Sequence, residues 1–310
     1  MKIAQIEGEN GGPALALKVQ DHLYNISSLS DVMPGNMDDL FERWDDSYVI
    51  LSELNNRILS HPGDYVSCRI EEEKTLFLAP TIRRPSFRDF YAFLQHVQSA
   101  RALRGLPVVE EWFEAPVFYF SNPNVFTGHG RTLARPPYTE ELDFELEIAC
   151  VISREGRDIP PEKAGEYIAG YTVLNDFSAR DIQRREMKVG LGPAKAKDFA
   201  TGLGPWLVTP EEFVGRGKGK GFDLKMTARK NGRLISEGNF ADIHFSFAEM
   251  IARASQGVTL YPGDVLGSGT VGTGCILEQR PENTGGWLQP GDEIELEIEH
   301  IGRLKHLITA

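Results

Sequence analysis

Long apolar runs are missing from this chain of 310 residues. No stretch approaches the ~20 apolar residues that a membrane span needs, and the opening MKIAQIEGENGG has neither an apolar segment nor a cleavage site of the secretory kind. The expectation is a cytoplasmic protein with no membrane partner. Cysteine is scarce too: Cys68, Cys150 and Cys275 are odd in number, far apart and set among apolar or strand-like neighbours. They read as reduced core residues, not as a disulfide frame, a zinc site or a nucleophile. An excess of positive charge is also lacking. The net charge of −12 argues against a nucleic-acid or anionic-lipid partner, since neither phosphate surface attracts an acidic protein. The one basic cluster, GRGKGKG at 215–221, has no aromatic platform beside it and reads as a solvated flexible loop. No internal repeat or heptad pattern is present, and GSGTVGTG at 267–274 lacks both the Lys-Ser/Thr pair and a plausible following helix of a phosphate loop.

What is there is ordinary globular material, 41% hydrophobic and 25% charged. Residues 1–78 read as a small N-terminal unit. MKIAQIE, ALALKV and VSCRIEEEKTLFLAP alternate like strands, whereas MDDLFERWDDSYVILSELNNRIL is periodic like a helix. The two prolines of APTIRRPS mark a boundary, after which residues 79–310 turn glycine- and strand-rich, with turn signals such as Lys230-Asn231-Gly232. The fold class expected is α+β, mainly β.

The chemistry-bearing residues cluster in a few segments. In LDFELEIACVI, strand alternation places Asp143, Glu145 and Glu147 on one face, spaced ~7 Å apart. Their mutual repulsion is unfavourable unless water or a cation screens it, and a solvated acidic face would explain the strand alone. A second strand, YIAGYTVLND, ends at Asp176 and leads into a helical pattern, DFSARDIQRREM, on which Asp176, Arg180 and Gln183 share a face. Oxygen ligands from two strands suit Mg²⁺, Mn²⁺ or Ca²⁺. Taken alone, Asp176 would be an N-cap, Arg180 its surface partner and Lys197 a surface lysine. Upstream, SFRDFYAFLQHVQSARALRG starts like a helix with Ser86 and Asp89 spaced as a capping box, which fully accounts for Asp89. Asp89 and His96 then share a helix face, with Tyr91 near the same end. A histidine there can be a general base, though pattern alone favours a packed one.

In order, DFYAFLQH, DFELEIACVI, GYTVLNDFSARDIQ, KDFATGLGPWLV and YPGDVLGSGT resemble the signature blocks of the fumarylacetoacetate hydrolase superfamily, in its bacterial-type, fumarylacetoacetase-like form. The resemblance implies a mixed β-sandwich or β-roll catalytic domain with a small barrel-like N-terminal domain, in a homodimer. It implies one divalent cation, Mg²⁺ or Mn²⁺ with Ca²⁺ also suited, held by Glu145, Glu147 and Asp176 with Asp89 as a fourth ligand. By the same resemblance His96 activates water and Glu278 orients the histidine, Arg180, Gln183 and Lys197 stabilise an oxyanion, and Tyr91 and Thr270 touch substrate. The substrate-gripping arginine has only an out-of-register counterpart in Arg101 or Arg104, and a family tyrosine before His129-Gly130-Arg131 is missing. The implied activity is metal-assisted C–C hydrolysis of a 1,3-diketone or acylpyruvate such as fumarylacetoacetate. The alternatives are a 2-oxo-acid decarboxylase or isomerase, resembling oxaloacetate decarboxylases, and a non-catalytic binding homodimer.

Overall fold

The computed structural model describes residues 1–30 and 32–310. Its core is a twelve-stranded sheet. At the centre lie three antiparallel strands, Leu146–Ile152, Ile168–Asp176 and Thr201–Val208, whose residues are buried except the half-exposed Ile168. Period-two alternation sends Ile148, Cys150 and Ile152 into one apolar cluster and Ala149 and Val151 into another. On the first face packs a five-stranded sheet, in the order Arg233–Asn239, Lys225–Lys230, Glu293–Ile298, Gly302–Thr309 and Thr132–Ala134. Over the second face lies the helix Trp44–Ser60, burying Leu51, Leu54 and Ile58 beside Leu15, Leu17 and Leu207. Each such side chain contributes roughly 1.5–3 kcal/mol of burial free energy. The fold is thus mixed and sheet-dominated, as the alternating patterns suggest.

Within residues 1–78 the strands Lys2–Glu7 and Pro13–Val19 form where expected, and His22–Asn25 is a further strand not among the expected ones. They do not close into a barrel among the described residues. Lys2–Glu7 pairs antiparallel with Thr201–Val208, so the N-terminal strands extend the large sheet. The helical stretch is two helices, Met37–Glu42 and Trp44–Ser60. VSCRIEEEKTLFLAP is strand only at Arg69–Ile70 and Phe77–Leu78, the intervening residues 72–74 forming a 3₁₀ turn. The expected turn at Asn231-Gly232 is a two-residue hairpin loop with both φ positive, 52° and 77°, a conformation that Asn-Gly adopts at low cost. The basic segment 215–221 is partly ordered as a short ribbon, Gly217–Lys218 against Gly221–Phe222. A one-turn helix, Ile276–Gln279, does follow the glycine-rich GSGTVGTG.

Candidate active site

The site forms where the large sheet's central strands end. Phe87–Phe90 is a strand, not the first turn of a helix: it runs parallel to Val265–Gly267, and the Ser86 backbone N–H donates to Asp264 Oδ1 at 2.9 Å. Tertiary pairing overrides the local capping pattern. The helix begins only at Leu94, so Asp89 and His96 belong to different elements rather than to one helix face. Likewise Asp176 closes the strand Ile168–Asp176, and the helix Arg180–Val189 carries Arg180 and Gln183 without it. Three strands of one sheet therefore deliver Asp89, Glu147 and Asp176, with Val265–Gly267 lying between the strands of Glu147 and Asp89; all three acids are buried, with ligand oxygens within 4.8 Å of one another.

Room for this cluster comes from Gly267, where a Cβ would stand 2.5 Å from Asp89 Oδ1 and 3.3 Å from Glu147 Oε2. At Gly269 φ is +76° and a Cβ would meet the Phe90 carbonyl at 2.3 Å; its N–H instead donates to Glu147 Oε2 at 3.0 Å. Thr270 Oγ1 lies 3.4 Å from Glu147 Oε1. Sequence reasoning missed Tyr119, whose hydroxyl donates to Asp176 Oδ2 at 2.5 Å and sits 3.4 Å from Asp89 Oδ2. Its only sequence signal is one polar tip within the strand Phe118–Phe120.

The acidic strand is not continuous. Leu142–Asp143 pairs with Ser178–Ala179, and Asp143 turns away from Glu147. Its carboxylate accepts from the Ile276 and Leu277 backbone N–H groups at 2.8 and 3.0 Å, and from Arg180 Nε at 2.8 Å. Glu145 accepts from Arg180 at 2.7 Å and from Lys197 Nζ at 2.5 Å, and Lys197 Nζ also reaches Asp176 Oδ2 at 2.6 Å. Glu145 thus stands apart from the three-carboxylate cluster, linked to it through Lys197. Arg180 further donates to Gln183 Oε1 at 2.9 Å, leaving the Gln183 amide N–H groups free to donate.

Five buried carboxylates face two buried cations, Arg180 and Lys197, a formal excess of three negative charges. At an effective dielectric of ~20, each charged pair in the cluster costs about 3 kcal/mol or more. The consequence appears in the titration. Burial, then the charge of Asp176, pushes Asp89 well above the ordinary carboxylate range; burial, then Asp89, does the same to Glu147. Burial also raises Asp176, against the pull of Lys197. For Glu145 burial is outweighed by Lys197 and Arg180, which hold it well below the usual value. Asp176 Oδ1 is buried and without a partner, so the cluster offers an open acceptor to a cation. Hard oxygens, excess negative charge and an open acceptor fit a divalent ion such as Mg²⁺, Mn²⁺ or Ca²⁺.

His96 is buried, with Nδ1 2.9 Å from Glu278 Oε1 and its ring edge-on to Tyr91 at 5.3 Å. Arg104 is exposed and Arg101 half-buried. Arg101 donates to the Pro107 carbonyl and not into the acidic cluster. Of the cysteines, Cys150 and Cys275 are buried as expected, but Cys68 is only half-buried and therefore not a core residue.

The profile described as fumarylacetoacetate (FAA) hydrolase C-terminal matches residues 86–309. The chain belongs to this family. Family members bind a divalent metal, the ion for which the acidic cluster is a candidate site. Among its relatives, a 4-hydroxyphenylacetate degradation bifunctional isomerase/decarboxylase of Salmonella dublin is 30% identical over 84% of this chain and 59% of its own. An oxaloacetate tautomerase of Bacillus subtilis is 34% identical over 63% of this chain and 62% of its own. The chain thus spans about six-tenths of the length of these curated relatives. A fumarylacetoacetate hydrolase from the psychrophilic Exiguobacterium antarcticum superposes with a TM-score of 0.72 over 100% of this chain and 99% of that one; at 23% identity it speaks for the fold alone. Among the described residues no helix is long and apolar enough to cross a membrane.

Proposed function

We propose that the chain is a metal-dependent hydrolase that cleaves a C–C bond in a small 1,3-diketone or acylpyruvate, with fumarylacetoacetate as the type of substrate. The observation that supports hydrolysis over the family's other reactions is the buried pair of His96 and Glu278, 2.9 Å apart at Nδ1. A base must be held in one tautomer and orientation if it is to take a proton from water, and a carboxylate facing Nδ1 leaves Nε2 for that task. A divalent ion held by Asp89, Glu147 and Asp176 would supply Lewis acidity toward the chelating oxygens of a dicarbonyl. His96 accepts a proton from water as the hydroxide adds to the substrate carbonyl. Lys197, Arg180 and the Gln183 amide supply positive charge and N–H groups for the oxyanion that develops, each worth ~3 kcal/mol of barrier. The C–C bond then breaks, its electron pair leaving as the enolate, which takes up a proton.

A second reading, a 2-oxo-acid isomerase or decarboxylase, is favoured by the names of the Salmonella and Bacillus relatives. It uses the same carboxylates and needs no water activation. Incubation with Mg²⁺ or Mn²⁺, H₂¹⁸O and a panel of acylpyruvates, fumarylacetoacetate and oxaloacetate, followed by mass spectrometry, separates the two. Hydrolysis places one ¹⁸O in the acid released on C–C cleavage. Carbon dioxide from oxaloacetate, or enol–keto exchange alone, would replace the hydrolase reading with the second.

A further inference from the structure

A second cluster of metal-ligating atoms lies beside the acidic one and uses softer donors. The helix Leu94–Ala102 presents His96, and the one-turn helix Ile276–Gln279 presents Cys275 at its start and Glu278 three residues later, on one face. A His96 ring nitrogen, Cys275 Sγ and a Glu278 carboxylate oxygen lie within 4.8 Å of one another. All three side chains are buried: His96 and Glu278 are 7% and 4% exposed, and Cys275 is fully covered. Glu278 Oε1 approaches His96 Nδ1 to 2.9 Å but outside hydrogen-bond geometry, and His96 Nδ1 and both Glu278 oxygens have no hydrogen-bond partner. Leaving three such atoms buried and unpaired is costly, and a ligand that accepts electron pairs from all of them removes the cost.

We infer that His96, Cys275 and Glu278 form a second metal site, selective for a soft or borderline divalent ion such as Zn²⁺ and distinct from the carboxylate site. One nitrogen, one thiolate and one carboxylate are a three-ligand zinc set that leaves a fourth position for water. The thiolate discriminates against Mg²⁺, which the all-oxygen cluster suits. From Zn–S and Zn–N lengths of about 2.3 and 2.0 Å, tetrahedral donors stand roughly 3.5 Å apart, so a pair near the 4.8 Å limit must close by an ångström or so while His96 Nδ1 and Glu278 Oε1, at 2.9 Å, part slightly. Burial, reinforced by the charge of Asp143, keeps the Cys275 thiol protonated without metal. Zinc binding therefore releases a proton as the S–H bond is exchanged for S–Zn. If His96 is the water-activating base, which rests on the proposed hydrolase function, zinc on Nδ1 inhibits the enzyme by leaving the ring's proton on Nε2, the nitrogen that would otherwise take one from water.

The test is spectroscopic and does not depend on turnover. Co²⁺ is added to the full chain saturated with Mg²⁺, and the thiolate-to-cobalt charge-transfer band is followed. The site requires a band at one Co²⁺ per chain that Zn²⁺ displaces. The band should vanish in Cys275→Ala or Cys275→Ser, and persist in Glu147→Gln and in Cys68→Ser. Two cysteine variants are used in case one fails to fold, and absence of the band in wild-type protein is decisive without them. Absence of the band in wild type, its survival without Cys275, or its loss in Glu147→Gln each overturns the inference. A protein that shows the band but performs no hydrolysis keeps the zinc site and loses only the inhibition.

Discussion

The Lys197 ammonium stands 2.6 Å from the Asp176 carboxylate, wholly out of water, and reaches Glu145 on its other side at 2.5 Å. A lysine in so acidic a setting acts as a resident counter-ion, and under the proposed hydrolase function it is a donor to substrate as well. Removing one partner of a buried ion pair leaves charge uncompensated, at a cost of about 3–5 kcal/mol. Lys197→Met should therefore lower the thermal midpoint of metal-free protein, and saturating Mg²⁺ should restore part of the loss. Turnover should fall ~100-fold, as for loss of an oxyanion donor. Melting curves in chelator and in Mg²⁺, with steady-state rates, check both. An unchanged midpoint in chelator would remove Lys197 from the charge balance.

Glu147 is held at the centre of the cluster by the Gly269 N–H and Thr270 Oγ1, in an environment that disfavours its charge. Glu147→Gln keeps the shape and removes the repulsion. Metal-free stability should stay equal or rise by about 1 kcal/mol, while Mg²⁺ affinity falls by at least ~100-fold. Gly267→Ala should weaken Mg²⁺ too, because its Cβ would stand 2.5 Å from Asp89 Oδ1. Calorimetric titration decides, and wild-type affinity in Glu147→Gln would refute the ligand assignment.

The sequence shows the site's framework better than its details. Leu146–Ile152 and Ile168–Asp176 are legible because buried strands read as apolar runs, and the acids interrupting them, Glu147 and Asp176, stand out. Asp89 is legible as a residue but not as a strand position: Ser86 and Asp89 mimic a helix cap, and only pairing with a strand almost 180 residues away shows otherwise. Asp143 fits the alternation, yet the chain breaks step at Phe144 and turns it to a helix over 130 residues on. Tyr119 and Cys275 enter through turns and short strands, where no local pattern foretells what a side chain will face.

The titration of the cluster gives a pH signature. In the unfolded chain the four carboxylates ionise near pH ~4. Folded and without metal, Asp89, Glu147 and Asp176 keep protons above that value, so from pH ~4 upward the folded state binds more protons than the unfolded one. Stability then falls as pH rises through that window, by about 1.4 kcal/mol per pH unit for each extra proton. Glu145 acts oppositely, its stabilisation present above its unfolded value and lost as pH falls below it toward its depressed folded one. Bound metal needs the ligands deprotonated and abolishes the downward slope. Denaturant midpoints between pH 5 and 8 should decline in chelator and not in saturating Mg²⁺. Parallel curves would show that the cluster does not bind the ion.

His96 and Glu278 decide between the two reactions. In hydrolysis the histidine must take a proton from water, and the Glu278 carboxylate 2.9 Å from Nδ1 favours the tautomer that leaves Nε2 free to do so. His96→Ala should then suppress acylpyruvate cleavage by ~100-fold or more while leaving Mg²⁺ affinity intact, since the base is no ligand of the carboxylate cluster. Glu278→Gln should lower kcat less, with KM nearly unchanged, because the amide still packs beside the ring but no longer favours one tautomer. A 2-oxo acid that loses carbon dioxide or shifts a proton makes its enolate without a water molecule. An unchanged rate in His96→Ala, with oxaloacetate as the best substrate, would therefore move the chain to the decarboxylase or isomerase reading. It would leave His96 as a packed helical histidine beside the metal cluster.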